Sequence, residues 1–515
     1  MKNVLLMIFV FVFIVGCNDF QGQPKGVVKV KQFHYSNGGL KKEIPYNSSG
    51  QIHGIVREWL DDGRLFVEVE YKNGILDGFS TSYYDYTNGK KYKEMEYKGG
   101  ILNGYDREWK VNGDLLFECE YKNSMKDGRC VEWYKHHNQI KMDSNYSMDK
   151  KNGIYRTWNE RGKMLEECNY INDKKDGICR RWHYEKDFLI DECLYNKDKK
   201  DGICKEWDDD GHIISEKFFT NDVLNGIDKE WYKNGNMKHE YSFKNGVMNG
   251  LNREWHENGN ISVECNFKNG ALDGIFKQYN QNRQTILEAN FIDNKLNGEK
   301  REWDVAQGIP ILKSDCFYRD NKEDGMCKKF NNDKPELECN YKEGQKYGKC
   351  KFWDTHGYIS RDCEYEKDEL NGICKEYEYG KLKYETEYKN NIKHGLQKRF
   401  DEDNGNLMRT CEYYEGVLNG VCIVYSGDKV QSETYYKNGT WHGSRKTWNR
   451  GVLATEENYM DGKREGLFRE WNWNGNIKFE CNYKDDKKHG SCKSWDSDGK
   501  IMSNKLYENG NIIEK

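Results

Sequence analysis

The residues best able to do chemistry are cysteines, and their spacing is regular. Apart from Cys17, sixteen of them form pairs eleven residues apart: Cys119/Cys130, Cys168/Cys179, Cys193/Cys204, Cys316/Cys327, Cys339/Cys350, Cys363/Cys374, Cys411/Cys422 and Cys481/Cys492. One member of each pair lies nine residues before a recurrent glycine, and the other lies two after it. Neither column carries cysteine without the other except at Cys265, whose counterpart is Phe276. Facing residues of an antiparallel hairpin share a constant index sum. The spacing therefore predicts eight disulfides, each within one hairpin, and leaves Cys265 a free, buried and inert thiol. Each bond closes a loop of about a dozen residues and contributes roughly 2–4 kcal/mol. Two rival uses of the same sulfurs are metal binding by neighbouring pairs and reduced thiols in a cytosolic chain. Adjacent pairs occur only at some glycines and no CxxC spacing appears, which weighs against a metal. The same index arithmetic sets Tyr121 opposite Gly128, a ring over bare backbone.

Other chemistry is hard to find. The chain has no GxxxxGK[ST], HExxH or GxSxG motif and no dinucleotide-binding glycine fingerprint. His136 and His137 are adjacent, so a strand would aim them at opposite faces, and a polar loop is the better reading. His394, His442 and His489 precede recurrent glycines and read as turn residues. Glutamate recurs everywhere, so no catalytic carboxylate pair stands out. These observations predict a non-enzyme with no cofactor, no metal and no small-molecule substrate. Net charge is -4, from 82 Lys+Arg against 86 Asp+Glu, and the charges alternate as on a solvated face. That balance excludes the basic footprint of a nucleic-acid binder.

The elements that position the cysteines are repeats. Nineteen glycines from Gly54 to Gly490 recur 23 to 27 residues apart. Five residues after each stands an aromatic, thirteen times tryptophan, as at Trp231 and Trp255. Seven residues before each glycine from Gly78 onward stands Tyr or Phe. This unbroken aromatic column, mostly Trp, is a structural feature before it is a carbohydrate-stacking array. The cleanest unit is Gly226–Asn249. Each unit carries two turn signals, such as Asn234-Gly235 and Asn245-Gly246. The first suits a type I′ hairpin turn. The runs between turns are too short for helices, and Leu65, Val67, Val69 and Tyr71 alternate with Phe66, Glu68 and Glu70, close to a strand period of two. Only 36% of residues are hydrophobic while 14% are aromatic, which disfavours both thick cores and disorder and suits units that touch only their neighbours. Gly226 to Gly298 contain only the unpaired Cys265, so this stretch is predicted to be the least cross-linked.

The N-terminus reads as an export signal. Lys2 is followed by the apolar run Val4–Val15, too short for a permanent span. It ends Ile14-Val15-Gly16-Cys17, which resembles the lipobox of bacterial lipoproteins. That resemblance implies cleavage before Cys17 and its acylation. Residues 18–25 read as a tether.

The run from Glu230 to Gly250, with its Asn-Gly turns, spaced Glu, aromatic and closing glycine, resembles MORN-type repeats. It is similar to the variant found in antitoxin-like proteins of the YwqK family. The resemblance covers about Gly54 to Asn511. It implies an all-β fold: an elongated, twisted antiparallel sheet of about nineteen ~24-residue hairpins. The expected organisation is a signal peptide over 1–16, a lipidated Cys17 with tether and capping strands over 17–45, and the repeat array over 46–515. The expected function is that of a membrane-anchored lipoprotein outside the cytoplasm, in the periplasm or at the cell surface, binding or scaffolding a protein partner. The alternative, carried by the family resemblance, is an antitoxin or immunity protein that neutralises a toxin.

Overall fold

The computed structural model describes residues 33–45, 51–52, 54–87 and 89–514. The export signal, Cys17 and the tether lie outside them. The described residues form forty-three strands and no helix, and every pairing is antiparallel between chain neighbours. The chain divides into two compact units. The first holds the described residues up to Leu189 with Leu194–Lys199; the second holds Ile190–Cys193 with everything from Lys200 onward. Both are built from the same hairpin.

The two turns of each hairpin differ, and one differs from the sequence expectation. At Asn234-Gly235, Gly235 N–H donates to Tyr232 O (2.9 Å) and Tyr232 N–H to Asn236 O (2.8 Å). Gly235 has φ +86°, and Asn234 keeps negative φ. This is a three-residue loop, a type I turn closed by a left-handed glycine, instead of type I′. The I′ geometry falls at the other turn, where Asn245 (φ 51°) and Gly246 (φ 81°) link the paired Lys244 and Val247. Asn172 and Asp173 make the same turn without glycine, at φ 50° and 66°, because Asn and Asp tolerate the left-handed region. A glycine fits the last place of either loop, so the dipeptide alone does not choose between them.

The second correction concerns the aromatic over the glycine. Cys119 faces Cys130, but Tyr121 then faces Lys126 and not Gly128. Between those pairs Asp127, Gly128 and Arg129 stand against Glu120 alone, which is a bulge. Gly128 takes φ +130°, and a Cβ there would lie 2.7 Å from the Glu120 Cβ. Constant index arithmetic fails across such a bulge. Tyr121 instead faces Gly104 of the preceding hairpin, and Gly128 faces Tyr146 of the following one. The aromatic–glycine pair therefore joins neighbouring repeats.

Turns stack on turns to complete this joint. Asp149 N–H donates to Lys126 O (2.9 Å), and Lys126 N–H donates to Asp149 Oδ1 (2.7 Å). The same exchange ties Asp173 to Lys151 and Asp222 to Lys200. At the opposite turns, the hydroxyls of Tyr84, Tyr134 and Tyr232 donate to the carbonyls of Trp109, Trp158 and Trp255 at 2.6–2.8 Å. Backbone groups that the bulges leave out of the ladder thus find partners one repeat away.

Candidate functional site: a buried row and two patterned faces

The cysteine columns become one row. The residue nine before a glycine and the residue two after it face each other across successive strands, so the row passes from hairpin to hairpin. It supplies most of the fully buried side chains: cysteines where they occur, and Ser144, Asn252, Ala289 and Thr386 where they do not. All sixteen paired cysteines are bonded as the index sum requires, with Cα atoms 3.9–4.2 Å apart. Cys119–Cys130 and Cys168–Cys179 lie in the first unit and the other six bonds, beginning with Cys193–Cys204, in the second.

The hairpin arithmetic gave each cysteine a single facing residue, and here the structure differs. Cys204 is bonded to Cys193 on one side and faces Lys217 of the next hairpin on the other. Every interior strand pairs twice, so each sulfur has a second neighbour that no within-repeat sum can name. At Cys204 that neighbour is a cation, and the row passes there from sulfur to the polar residues that follow.

Cys265 is the free, buried thiol among the described residues. It faces Asn252 and Phe276. Burial, reinforced by Glu254 and Glu264, pushes its pKa up to about 11, so little thiolate forms near neutrality. Cys316, Glu323 and Cys327 lie close enough to hold a metal, but the two sulfurs are spent on each other.

Beside the row, on the same face, run the tyrosines. Lysines two residues before the glycines lie over their rings. Lys151 sits 4.0 Å from the Tyr155 centroid and 5.0 Å from that of Tyr170. Lys346 covers Tyr365 at 5.3 Å, and Lys393 covers Tyr413 at 5.2 Å. Such cation–π contacts are worth about 0.5–1 kcal/mol where exposed.

Where cysteines are scarce, the second unit gathers titratable groups instead. The His239 ring stacks on Tyr241 at 4.1 Å. His239 lies 3.8 Å from Asp228 and 3.7 Å from Glu230, and the Tyr241 hydroxyl donates to Glu254. Burial, then this bond to Glu254, raises the Tyr241 pKa. At Glu230 burial opposes ionisation but is outweighed by Lys238, His239 and Lys217, so its pKa falls. Sequence reading missed this cluster because its members come from three strands with no shared motif.

The other face carries a charge ladder, also missed. Lys or Arg three residues after a glycine faces Glu or Asp ten residues before the next, on both sides. From Lys205 through Glu216, Lys229 and Glu240 to Lys398, each successive strand reverses the sign. Contacts include Arg57–Glu68 at 2.6 Å, Lys277–Glu288 at 3.3 Å and Lys398–Glu385 at 2.6 Å. Thr81, Val131, Thr410 and Ile423 interrupt it. The signal was present in the sequence as two more coupled columns. Two residues along each strand, on this same face, stands an exposed isoleucine in many repeats, such as Ile203 (47%), Ile227 (41%) and Ile275 (47%).

Among the other sequence-predicted residues, His136 and His137 lie in a loop, where His137 approaches Glu160 at 3.6 Å. His442 meets Asp461 at 3.2 Å across stacked turns. The tryptophan column is partly buried and its carbonyls serve the turn stack.

Repetition, bulge glycines and stacked turns define an antiparallel β-hairpin repeat protein. More specifically, residues 151–172, 200–221, 224–245, 248–269, 464–485 and 488–509 match the MORN repeat variant, so the chain carries MORN-type repeats. No curated protein matches it. Among solved structures, the TcdB2-TccC3-Cdc42 complex aligns at 9% identity over 93% of this chain and 30% of that one, with a TM-score of 0.14. The Photorhabdus luminescens Tc holotoxin pore aligns at 8%, over 93% and 30%, with a TM-score of 0.13. The chain thus spans 30% of the length of those structures, and no functional inference follows from them.

Proposed function

We propose that this chain is a non-enzymatic, membrane-anchored repeat lipoprotein that binds or scaffolds a protein partner outside the cytoplasm. The observation that carries the binding role is the charged face, where an exposed isoleucine recurs beside an alternating ion ladder. Its repeat is two strands, about 9.6 Å. An extended or repetitive partner would meet many equivalent weak contacts there, which add by avidity. Trp473 adds an anchor: it is 87% exposed and borders a depression lined by Leu453, Ala454 and Asn472. Exposed tryptophans of this kind dominate binding energy when a partner covers them. The reading as a binder is supported by the pairing of the cysteines with one another along a buried row. Export agrees with eight disulfides, and the anchor rests on the Met1–Cys17 sequence.

The test uses the whole chain in intact cells, with a photo-crosslinking side chain at Ile203, Ile227 or Ile275. All three positions should capture one shared protein; three unrelated sets of adducts would refute a common binding face. A captured toxin would narrow the role to immunity. Inhibition of lipoprotein signal peptidase should leave a precursor, and Cys17→Ser should abolish acyl labelling. Absence of label on the native chain would contradict the anchor.

A further inference from the structure

Three of the disulfides stand side by side. Cys316, Cys327, Cys339, Cys350, Cys363 and Cys374 occupy the buried row on successive strands. Each faces the next: 316 with 327, 327 with 339, 339 with 350, 350 with 363 and 363 with 374. Bonds occupy alternate steps, Cys316–Cys327, Cys339–Cys350 and Cys363–Cys374. The two intervening steps, 327 to 339 and 350 to 363, join cross-strand neighbours as well.

Strand geometry makes those steps bondable. A residue in an antiparallel sheet forms a close pair with one neighbouring strand and a wide, hydrogen-bonded pair with the other. The bonded pairs, with Cα separations of 3.9, 4.1 and 3.9 Å, are of the close kind. The unbonded steps are then of the wide kind, about 5.5 Å between Cα atoms, which is within the disulfide range, and local opening of the sheet lets the Cβ atoms close to the roughly 3.5–4.5 Å that a bond needs. Any thiolate in the row therefore has a neighbouring disulfide sulfur on the same face. The other second-unit pairs near the C-terminus lack this. Cys411–Cys422 is flanked by Gln397 and Thr434, and Cys481–Cys492 by Phe468 and Lys505.

We propose that Cys316–Cys374 is a thiol–disulfide exchange site whose co-substrate is a dithiol reductant. Local opening of the sheet admits the reductant. It gives two electrons and two protons to one bond, such as Cys339–Cys350, and becomes a disulfide itself. The Cys339 thiolate attacks Cys327 Sγ; the 327–339 bond forms, the 316–327 bond breaks, and Cys316 leaves as the thiolate and takes up the proton. Cys350 does the same to Cys363, releasing Cys374. These two exchanges are redox-neutral. Two bonds remain, and the thiols reach the ends of the row. Starting from either outer bond gives the same end state. Cys316 then faces Lys300 and lies close to Glu323, and Cys374 faces Thr386. A thiol introduced inside the row is thus presented at both its ends, five strand spacings or about 24 Å apart.

Two experiments on the full chain test this. In the first, the native protein is treated with substoichiometric dithiothreitol, quenched in acid, alkylated and mapped by peptide mass spectrometry. Cross-linked peptides 327–339 and 350–363 should appear, with Cys316 and Cys374 alkylated. Thiols found only as facing pairs, 316 with 327 or 339 with 350, would overturn the proposal. In the second, Cys316→Ser leaves an odd number of sulfurs without any reductant. The free thiol should be distributed over Cys327, Cys350 and Cys374, whereas Cys411→Ser should free Cys422 alone. A Cys316→Ser protein with its thiol on Cys327 only would equally exclude exchange. If that variant does not fold, the first experiment decides.

Discussion

Two stretches of the second unit share one backbone design and differ in a single row. From Cys316 to Cys374 that row is all sulfur. From Lys217 to Lys300 it reads Lys217, Asp228, Tyr241, Asn252, Cys265, Phe276, Ala289 and Lys300. Bulges, turn stacks and the charge ladder continue through both. The hairpin therefore does not need its disulfides to form. The difference lies in what is left unsatisfied. Asp228 Oδ1, His239 Nε2 and Asn252 Nδ2 are buried without hydrogen-bond partners, while no such atom occurs between 316 and 374 among the described residues. Each buried unsatisfied polar group costs about 1–3 kcal/mol. The sulfur stretch gains constraint, and the polar stretch carries an electrostatic load.

The largest test of this contrast removes one bond. Cys339→Ser with Cys350→Ser should lower stability by roughly 2–4 kcal/mol in urea titration, while Cys265→Ser should cost under about 1 kcal/mol, since it removes no cross-link. Equal losses would erase the distinction. The reverse experiment is Phe276→Cys, which gives Cys265 a facing partner. Thiol titration in denaturant without reductant, with peptide mapping, should then find Cys265 bonded, where it is a free thiol in the native sequence. Persistence of both thiols would show that the polar stretch cannot close a bond. Acid should widen the contrast. Glu230 has its folded pKa below the ordinary 4.5, so its stabilisation is complete above pH 4.5 and is lost as pH falls through the lower folded value. Disulfides do not titrate there. Hydrogen exchange at pH 3 corrected for intrinsic rates should rise more, relative to pH 7, around 226–254 than around 316–374.

The smallest effect concerns what the stretches share. Lys277→Glu sets like charges against Glu264 and Glu288, and Lys351→Glu does so against Glu338 and Asp362. Each should cost about 0.2–1 kcal/mol per opposed pair, similarly in both stretches and less in high salt. A much larger cost in one would mean that face and row are coupled.

Much of this was legible in the chain itself. The glycine and aromatic columns prescribe hairpins of the observed length, and coupled occupancy pairs Cys119 with Cys130 and its counterparts. What could not be read depended on register beyond a bulge. Tyr121 lies two residues past Cys119, yet its glycine belongs to the preceding hairpin, because the strand carrying Gly128 accommodates extra residues. Cys204 likewise has a bonded partner that the spacing names and a second neighbour, Lys217, that it does not. The Asn-Gly dipeptides at 234 and 245 are identical in sequence but make different loops. The row and the ladder are relations between repeats, visible only when a column nine or ten before one glycine is set beside a column two or three after another. The His239 cluster lacks even that periodicity.

The central claim is that one row sets local stability on an otherwise uniform repeat. Hydrogen exchange on the full chain, at one pH with and without prior reduction and alkylation, tests it most directly. Oxidised, strands between 316 and 374 should be the more protected and those between 226 and 300 the less; after reduction the first should lose most of that advantage while the second changes little. Equal protection of the two stretches in the oxidised chain would contradict the account.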